Sequence, residues 1–213
     1  MKVFVYVEGP SDKLGMEALL QPLIQKKGQA GVAIRFFESP KGDRKVSVLT
    51  KVPVRAANIL LNDPHSMVVA LPDLYPRNKG FPHETADELV DGVVENFRRA
   101  LRTKGARDDS RVLNRFRVFC FKYDLEALLL ASEDGLRRQL GVTSLNPQWR
   151  LPVEDQDHGH PPKRIVDDLF TKHGKHYIAT LHVPLILRAS HYQDLAKRCP
   201  QWFGRFVTFL ANL

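Results

Sequence analysis

The opening stretch MKVFVYVEGPSDKLGMEALLQPLIQKKG (residues 1–28) contains a strand pattern followed directly by a helix pattern. Residues 3–7 are all β-branched or aromatic, which favours a short strand. After turn residues 9–11, apolar residues recur at the spacing of one helical face until Gly28, with Pro22 predicting a kink. A strand followed at once by a helix is the repeating unit of α/β proteins.

The same alternation continues as far as residue 140. Further strands are predicted at 32–37, 66–71 and 115–121. The helices predicted between and after them are 44–61 (interrupted by Pro53), one that follows a capping box at Thr85 and Glu88, and 125–140. Because strands that are apolar on both faces alternate with helices, the sequence predicts the α/β class, with a mostly parallel sheet flanked by helices.

The pattern changes after Gly141. Residues 142–162 contain four prolines and several polar residues, which is typical of a long irregular connection. Residues 163–213 are helical in pattern, with segments at 163–172, 177–188 and 191–213. We therefore predict an α/β core over 1–141, a connection over 142–162, and a C-terminal helical annex over 163–213 that packs on the core within a single domain.

Composition excludes several classes of protein. The chain has 213 residues, of which 43% are hydrophobic and 26% charged, as in ordinary globular proteins and unlike disordered ones. Its apolar runs are far shorter than the roughly 18 residues that a membrane span needs. The first residues lack the cleavage site of a signal peptide, and two cysteines are too few for a disulfide scaffold or a cysteine zinc site. We predict a cytoplasmic protein that does not associate with membranes.

The charge balance favours an anionic partner. Lysine and arginine number 32 against 24 acidic residues, a formal net charge of +8, and nucleic acid is the commonest partner of so basic a chain. The stretch from residue 98 to residue 117 contains eight basic residues and only two acidic ones, Asp108 and Asp109. The eight are Arg98, Arg99, Arg102, Lys104, Arg107, Arg111, Arg115 and Arg117. They form either a nucleic-acid-binding surface or a solvated helix end that complements the helix dipole.

Carboxylates follow three of the four predicted strands. Glu8 follows the first, Asp73 the third, and Asp124 with Glu126 the fourth. Ligands of open α/β sheets bind beyond the carboxyl ends of the strands, and gathered carboxylates repel one another unless a cation or shared proton relieves them. Their oxygens suit Mg²⁺, so the pattern predicts a metal-assisted phosphoryl-transfer site. Each acid also has a structural interpretation: Glu8 at a helix start, Asp73 in a turn, and Asp124 as a helix cap.

Five segments in order along the chain carry a resemblance to a known family. They are VEGPSD (7–12), PDLYP (72–76), YDLEALLLAS (123–132), HPPKRI (160–165) and CPQWFGRFVTFL (199–210). The first resembles the opening motif of the Toprim fold, which topoisomerases, bacterial primases and OLD-type nucleases share. Together they resemble a branch of small, largely uncharacterised Toprim-like proteins, some of which are nuclease effectors of bacterial anti-phage defence.

The resemblance implies roles for the strand-end acids. Glu8 would be the general acid or base, Asp73 a ligand of Mg²⁺ or Mn²⁺, and Glu126, with or without Asp124, would complete the acidic site. Gly9 would let the backbone come close to a phosphate because it has no side chain. Tyr75 stands where the family has the second aspartate of an Asp-x-Asp pair, which puts a two-metal mechanism in doubt.

Two functions remain open at this point. The first is a metal-dependent nuclease that hydrolyses RNA, transfer RNA included, or DNA as a toxic effector held in check by an ATPase partner. The second, favoured by Tyr75, is a non-catalytic subunit of a defence complex that binds nucleic acid or the ATPase. A homodimer is compatible with both.

Three further segments have weaker signals. Lys163 and Arg164 open a helix, where they would either hold phosphate near the acidic site or lie in solvent. The segment 157–160, Asp-His-Gly-His, is interpreted as a loop rather than a zinc site. The segment 39–45, SPKGDRK, superficially resembles a phosphate loop but lacks the Gly-Lys-Ser/Thr ending, so it does not predict ATP binding.

Overall fold

The computed structural model describes residues 1–77, 80–106, 109–145, 149–156 and 158–213. The strands are β1 (Lys2–Val7), β2 (Ala33–Glu38), β3 (Ser66–Leu71) and β4 (Phe116–Val118). The helices are α1 (Pro10–Gln29), α2 (Arg44–Asn62), α3 (Ala86–Thr103), α4 (Ser110–Leu113), α5 (Glu126–Ala131), α6 (Glu133–Leu140), α7 (Pro162–Lys172), α8 (Ala179–Arg188), α9 (Tyr192–Arg198) and α10 (Phe203–Ala211), with a 3₁₀ turn at Val153–Asp155.

The four strands form one parallel sheet in the order β2-β1-β3-β4, which confirms the predicted α/β class. In the register, Val7 lies beside Glu38 on one side and Leu71 on the other, so three strands end at the same level. After β1, the next strand along the chain, β2, is added on one side of β1, and the strand after it, β3, is added on the other side. The gap between the carboxyl ends of β1 and β3 is therefore the switch point at which such sheets bind ligands.

The chain divides into two compact units, which we describe separately. The sheet unit comprises Met1–Gly9 and Ile24–Phe121, and the helical unit comprises Pro10–Leu23 and Lys122–Leu213. The prediction that the C-terminal helices pack on the core as part of a single domain stays a prediction. No described helix combines the length and the apolar character needed to cross a membrane.

The core of the sheet unit lies between the sheet and helices α2 and α3. These helices pack on each other, α2 also contacts β1 and β3, and α3 contacts β4. The ring centroids of Phe97 on α3 and Phe116 on β4 are 4.5 Å apart. At the start of α3, the predicted capping box is present: the hydroxyl of Thr85 accepts from the Glu88 backbone, and the Glu88 carboxylate accepts from the Thr85 backbone.

The predicted interruption at Pro53 does not end its helix. Pro53 lies within α2, which continues from Arg44 to Asn62, and the kink predicted at Pro22, within α1, stays a prediction. A proline removes one backbone hydrogen bond, and burial of the surrounding apolar face can offset that loss. Pro53 is itself buried on the inner face of α2, between Val52 and Ala56.

Other predicted elements are shorter than expected. The helix predicted at 125–140 is broken at Ser132 into α5 and α6, and the one predicted at 191–213 is broken near Pro200 into α9 and α10. The fourth strand covers only Phe116–Val118, although Phe121 pairs again with Asp73 through an isolated bridge. Apolar periodicity continues through these breaks, so it could not locate them.

The helical unit is packed tightly around Gly15 of α1. A Cβ atom placed on Gly15 would lie 2.5 Å from Val183 Cγ1 and 2.8 Å from Leu125 Cδ2, so a larger residue would displace one of these side chains. Near the start of α8, Nδ1 of buried His182 accepts a hydrogen bond from the Ile178 backbone N–H at 2.8 Å. This bond requires the neutral imidazole, and burial lowers the pKa of His182 below its usual 6.5.

The His182 contact predicts a loss of stability on acidification. Because the unfolded chain takes up a proton near pH 6.5 while the folded chain resists it, the free energy of unfolding should fall as the pH drops below that value. Thermal denaturation at pH 7.5 and 5.5 would measure this. His182→Asn removes the titrating ring, so its pH dependence should be weaker than that of the wild type, and an unchanged dependence would rule out His182 as the cause.

Candidate active site

Glu8 and Asp73 meet at the switch point of the sheet. Glu8 follows β1 directly, and Asp73 comes two residues after β3. Oε1 of Glu8 accepts a hydrogen bond from the backbone N–H of Asp73 at 3.0 Å. Glu8 is only 8% exposed and Asp73 is half-buried. The structure thus brings these two predicted residues together, while their catalytic and metal-binding roles stay predictions.

The thiol of Cys120 lies near the negative charges of Asp73 and Glu8 at the carboxyl edge of the sheet. Cys120 is fully buried after β4, and its Sγ lies 3.2 Å from the backbone oxygen of Phe121. Burial raises the pKa of the Cys120 thiol well above its usual value, and the charges of Asp73 and Glu8 raise that pKa further. The two carboxylates therefore act on the same small region at the carboxyl end of the sheet.

Lys45 is the main residue of this site that the sequence did not reveal. Its Nζ lies 3.8 Å from Oε2 of Glu8 and donates to the backbone oxygen of Tyr75 at 3.1 Å. The backbone oxygen of Tyr75 therefore helps to hold a lysine beside Glu8. The signal was present in the sequence, since Lys45 ends the 39–45 segment that resembles a phosphate loop.

The same segment surrounds the backbone of Glu8 and Gly9. The hydroxyl of Ser39 donates to the Glu8 backbone oxygen at 2.9 Å. The guanidinium of Arg44 lies over Gly9, since a Cβ placed there would be 3.2 Å from Nη1 of Arg44. Gly9 thus lets the Arg44 guanidinium lie close to its backbone, while the expected approach of a phosphate stays a prediction.

Asp124 and Glu126 belong to the helical unit. Leu125 is the N-cap residue of α5 and makes no side-chain cap, so Asp124 does not have the capping position that one interpretation gave it. Glu126 is buried at 5% exposure, and its Oε1 accepts a hydrogen bond from the Tyr177 hydroxyl at 3.0 Å. Burial and the charge of Glu126 both raise the pKa of Tyr177. Whether Asp124 and Glu126 complete the acidic site stays a prediction.

The Glu126 contact predicts a measurable loss of stability in Tyr177→Phe. This change leaves the ring but removes the donor to a buried carboxylate, which should lower the free energy of unfolding by about 2 kcal/mol. Urea denaturation would measure the loss. Tyr192→Phe provides the control because Tyr192 is half-buried and its hydroxyl makes no hydrogen bond within the described residues. Equal losses in both variants would show that the Glu126 contact contributes nothing specific.

The predicted basic surface lies at the other edge of the sheet. Helix α3 leads from the carboxyl end of β3 to the start of parallel β4, so its last turns lie near the amino ends of the strands. Its 18 residues span about 27 Å. The four exposed basic residues here are Arg98, Arg99, Arg102 and Lys104. They are therefore well separated from Glu8 and Asp73.

Parts of the 98–117 stretch have structural roles. The Arg102 guanidinium pairs with Glu95, and Arg111 pairs with Asp109. The Arg115 guanidinium donates to the backbone oxygens of Leu60, Asp63 and Ser66, so it ties the end of α2 to the start of β3. Arg107 and Asp108 lie outside the described residues. Nucleic-acid binding by this stretch stays a prediction.

The remaining predicted segments lie in the helical unit. Lys163 and Arg164 are exposed in the first turn of α7, which begins at Pro162. The hydroxyl of Tyr123 donates to the Gln156 backbone oxygen at 2.8 Å and lies 3.2 Å from Nδ1 of His158, while Asp157 is outside the described residues. Within the ranges that the structure describes, no three histidine, cysteine, aspartate or glutamate residues group in a way that could hold a metal ion.

Comparison with known proteins gives one match. Residues 7–211, nearly the whole chain, match the family described as a domain of unknown function (DUF4276). Neither the curated proteins nor the solved structures contain a match to this chain.

Proposed function

Because this chain belongs to the DUF4276 family of domains of unknown function, its activity has to be inferred from its own residues, and we propose that it is a metal-dependent nuclease. The observation that supports this most directly is the junction of Glu8 and Asp73 at the switch point of a parallel sheet. The proposed reaction is hydrolysis of phosphodiester bonds in RNA, transfer RNA included, or in DNA. The resemblance to Toprim-like nucleases adds to the proposal.

The donor set at the switch point is compatible with a hard divalent cation. Mg²⁺ typically takes one or two protein carboxylates and fills its other positions with water and substrate phosphate. Asp73 and Glu8 are two carboxylates at the switch point of the sheet unit that could bind Mg²⁺ or Mn²⁺. When bound, such an ion supplies Lewis-acid polarisation of the phosphate and lowers the pKa of a bound water. With Tyr75 in place of a second aspartate, the proposal is for one metal ion.

Glu8 is the residue proposed to move a proton. The Asp73 N–H fixes its Oε1 at 3.0 Å, so the carboxylate has a defined orientation. A buried carboxylate held in this way can take a proton from the attacking water or return one to the leaving oxygen. The Lys45 ammonium lies 3.8 Å from Oε2, so its positive charge offsets part of the negative charge of the carboxylate.

The Lys45 contact also favours a second candidate function. A carboxylate that already has an ammonium neighbour needs no metal ion to relieve its charge. In that case the chain would be a non-catalytic subunit that binds nucleic acid or a partner ATPase. The two candidates differ in their response to divalent cations.

The biological setting rests on the family resemblance alone. We propose a cytoplasmic toxic effector of anti-phage defence, restrained by an ATPase partner and compatible with a homodimer. The net charge of +8 is compatible with nucleic acid as the substrate or ligand.

A cleavage assay tests the proposed function. The purified chain would be incubated with transfer RNA, unstructured RNA and plasmid DNA in Mg²⁺, in Mn²⁺ and in EDTA. We expect cleavage of at least one substrate with a divalent cation and none in EDTA. An absence of cleavage under every condition, together with a melting temperature that neither cation raises, would favour the non-catalytic alternative.

A further inference from the structure

Two cations close to the candidate active site come from one short segment. Residues 39–45 follow β2 at the carboxyl edge of the sheet and include Arg44 and Lys45, the first two residues of α2. The Lys45 ammonium lies near the Glu8 carboxylate, and the Arg44 guanidinium lies near the Gly9 backbone. The exposed basic residues at the end of α3 lie at the opposite edge, so they do not occupy this position.

Lys45 and Arg44 differ in how they are held. Lys45 is fixed by the Glu8 carboxylate and by the backbone oxygens of Tyr75 and Pro76. Arg44 is exposed, and its guanidinium makes neither a hydrogen bond nor an ion pair with any residue in the described ranges. Asp43, the residue before Arg44, does not pair with the guanidinium. Its side chain instead accepts a hydrogen bond from the Val46 backbone N–H at 3.1 Å as the N-cap of α2.

We propose that Arg44 binds a backbone phosphate of a nucleic-acid strand, next to the Glu8 carboxylate. A guanidinium has five N–H donors in a planar fork that matches two phosphate oxygens, and the donors of Arg44 are not used within the described protein. Gly9 leaves the space for this approach, because its missing side chain lets the guanidinium lie against the backbone that leads out of β1.

Lys45 and Arg44 would then have separate tasks. The Lys45 ammonium balances the charge of Glu8, so a phosphate can approach that carboxylate with less repulsion. The Arg44 guanidinium supplies the direct contact to the phosphate. The inference deepens the proposed function, since it names the residue that would position the strand at the Glu8–Asp73 site. It concerns binding, so it can be tested without turnover.

The experiment is a binding titration in EDTA, where a metal-dependent enzyme cannot cleave. Fluorescence anisotropy would follow labelled single-stranded RNA and DNA 12-mers across a range of salt concentrations. Arg44→Ala should weaken binding about five- to tenfold and reduce the slope of log Kd against log salt by about 0.7, the value for one lost phosphate contact. Arg44→Lys should retain the salt slope and part of the affinity, since it keeps the charge but not the fork.

Arg35→Ala is the matched control, because it removes an exposed arginine of β2 in the same unit for which no binding role is predicted. A larger loss in Arg44→Ala than in Arg35→Ala supports the inference. Equal losses in the two variants, or no loss in Arg44→Ala, would overturn it. If no substrate is cleaved but Arg44→Ala still weakens binding more than the control does, the result supports the phosphate contact and contradicts only the nuclease proposal.

Discussion

Glu8→Gln is expected to reduce phosphodiester cleavage at least 100-fold while leaving nucleic-acid binding nearly unchanged. General acid–base catalysis by a positioned side chain contributes roughly 10²- to 10⁴-fold to rates. Glutamine has the same shape, and its amide oxygen can still accept the Asp73 N–H that Glu8 accepts at 3.0 Å. It carries no negative charge and has no carboxyl group that can take up and release a proton. Single-turnover cleavage rates measure the chemical effect separately from binding.

Glu38→Gln is the matched control for this substitution. Glu38 ends β2 at the same level as Val7 of β1, is exposed, and also lies at the carboxyl edge of the sheet. Neutralising it changes the net charge by the same amount as Glu8→Gln but leaves the Glu8–Asp73 junction intact. Similar cleavage rates in Glu8→Gln and the wild type would remove the role proposed for Glu8.

Glu154→Ala is expected to lower the free energy of unfolding by about 3 kcal/mol, the largest stability effect that we predict. Glu154 is 4% exposed and holds the start of α10. Its Oε2 accepts from the Gln201 backbone N–H at 2.7 Å, and its Oε1 accepts from those of Trp202 and Phe203 at 3.0 and 3.4 Å. Alanine would leave these donors without their partner, and each unsatisfied buried donor costs about 1 kcal/mol or more.

Glu154→Gln should lose less than Glu154→Ala. Burial raises the pKa of Glu154 above its usual 4.5, even though the three backbone N–H groups lower it. Because the folded chain binds this proton more tightly than the unfolded chain, ionisation of Glu154 reduces stability as the pH rises above that value. Glutamine avoids the cost of a buried charge and keeps one acceptor oxygen.

Denaturation of the Glu154 variants in urea would measure these differences. Asp168→Ala is the control, because Asp168 is an exposed acid on α7 of the same unit. If Glu154→Ala destabilised the chain no more than Asp168→Ala does, the proposed anchoring of α10 would be wrong.

Much of the fold could be predicted because its signals are local. The β-branched run at 3–7, the apolar run at 66–71 and the capping box at Thr85 each specify their own element. The pairing of Glu8 with Asp73 follows from the same information, since neighbouring parallel strands bring their carboxyl ends together. The position of the basic residues on α3 could also have been deduced, because a crossover helix must return to the amino edge of the sheet.

The partners of the site residues could not be predicted because they come from distant parts of the chain. Lys45 reaches Glu8 across 37 positions (45 − 8), and Tyr177 reaches Glu126 across 51. Glu154 lies in a stretch whose prolines predict an irregular connection, and nothing near it in sequence indicates that it holds α10. Such contacts depend on how elements pack, which hydrophobic periodicity does not determine.

Titration calorimetry of Mn²⁺ into the metal-free wild type and into Asp73→Asn tests most directly whether Glu8 and Asp73 form a cation-binding hydrolytic site. The substitution keeps the size of the side chain and removes one of the two carboxylates. We predict that the wild type binds Mn²⁺ and that Asp73→Asn binds it at least tenfold more weakly. Equal binding by the two proteins, or no binding by the wild type, would contradict the account.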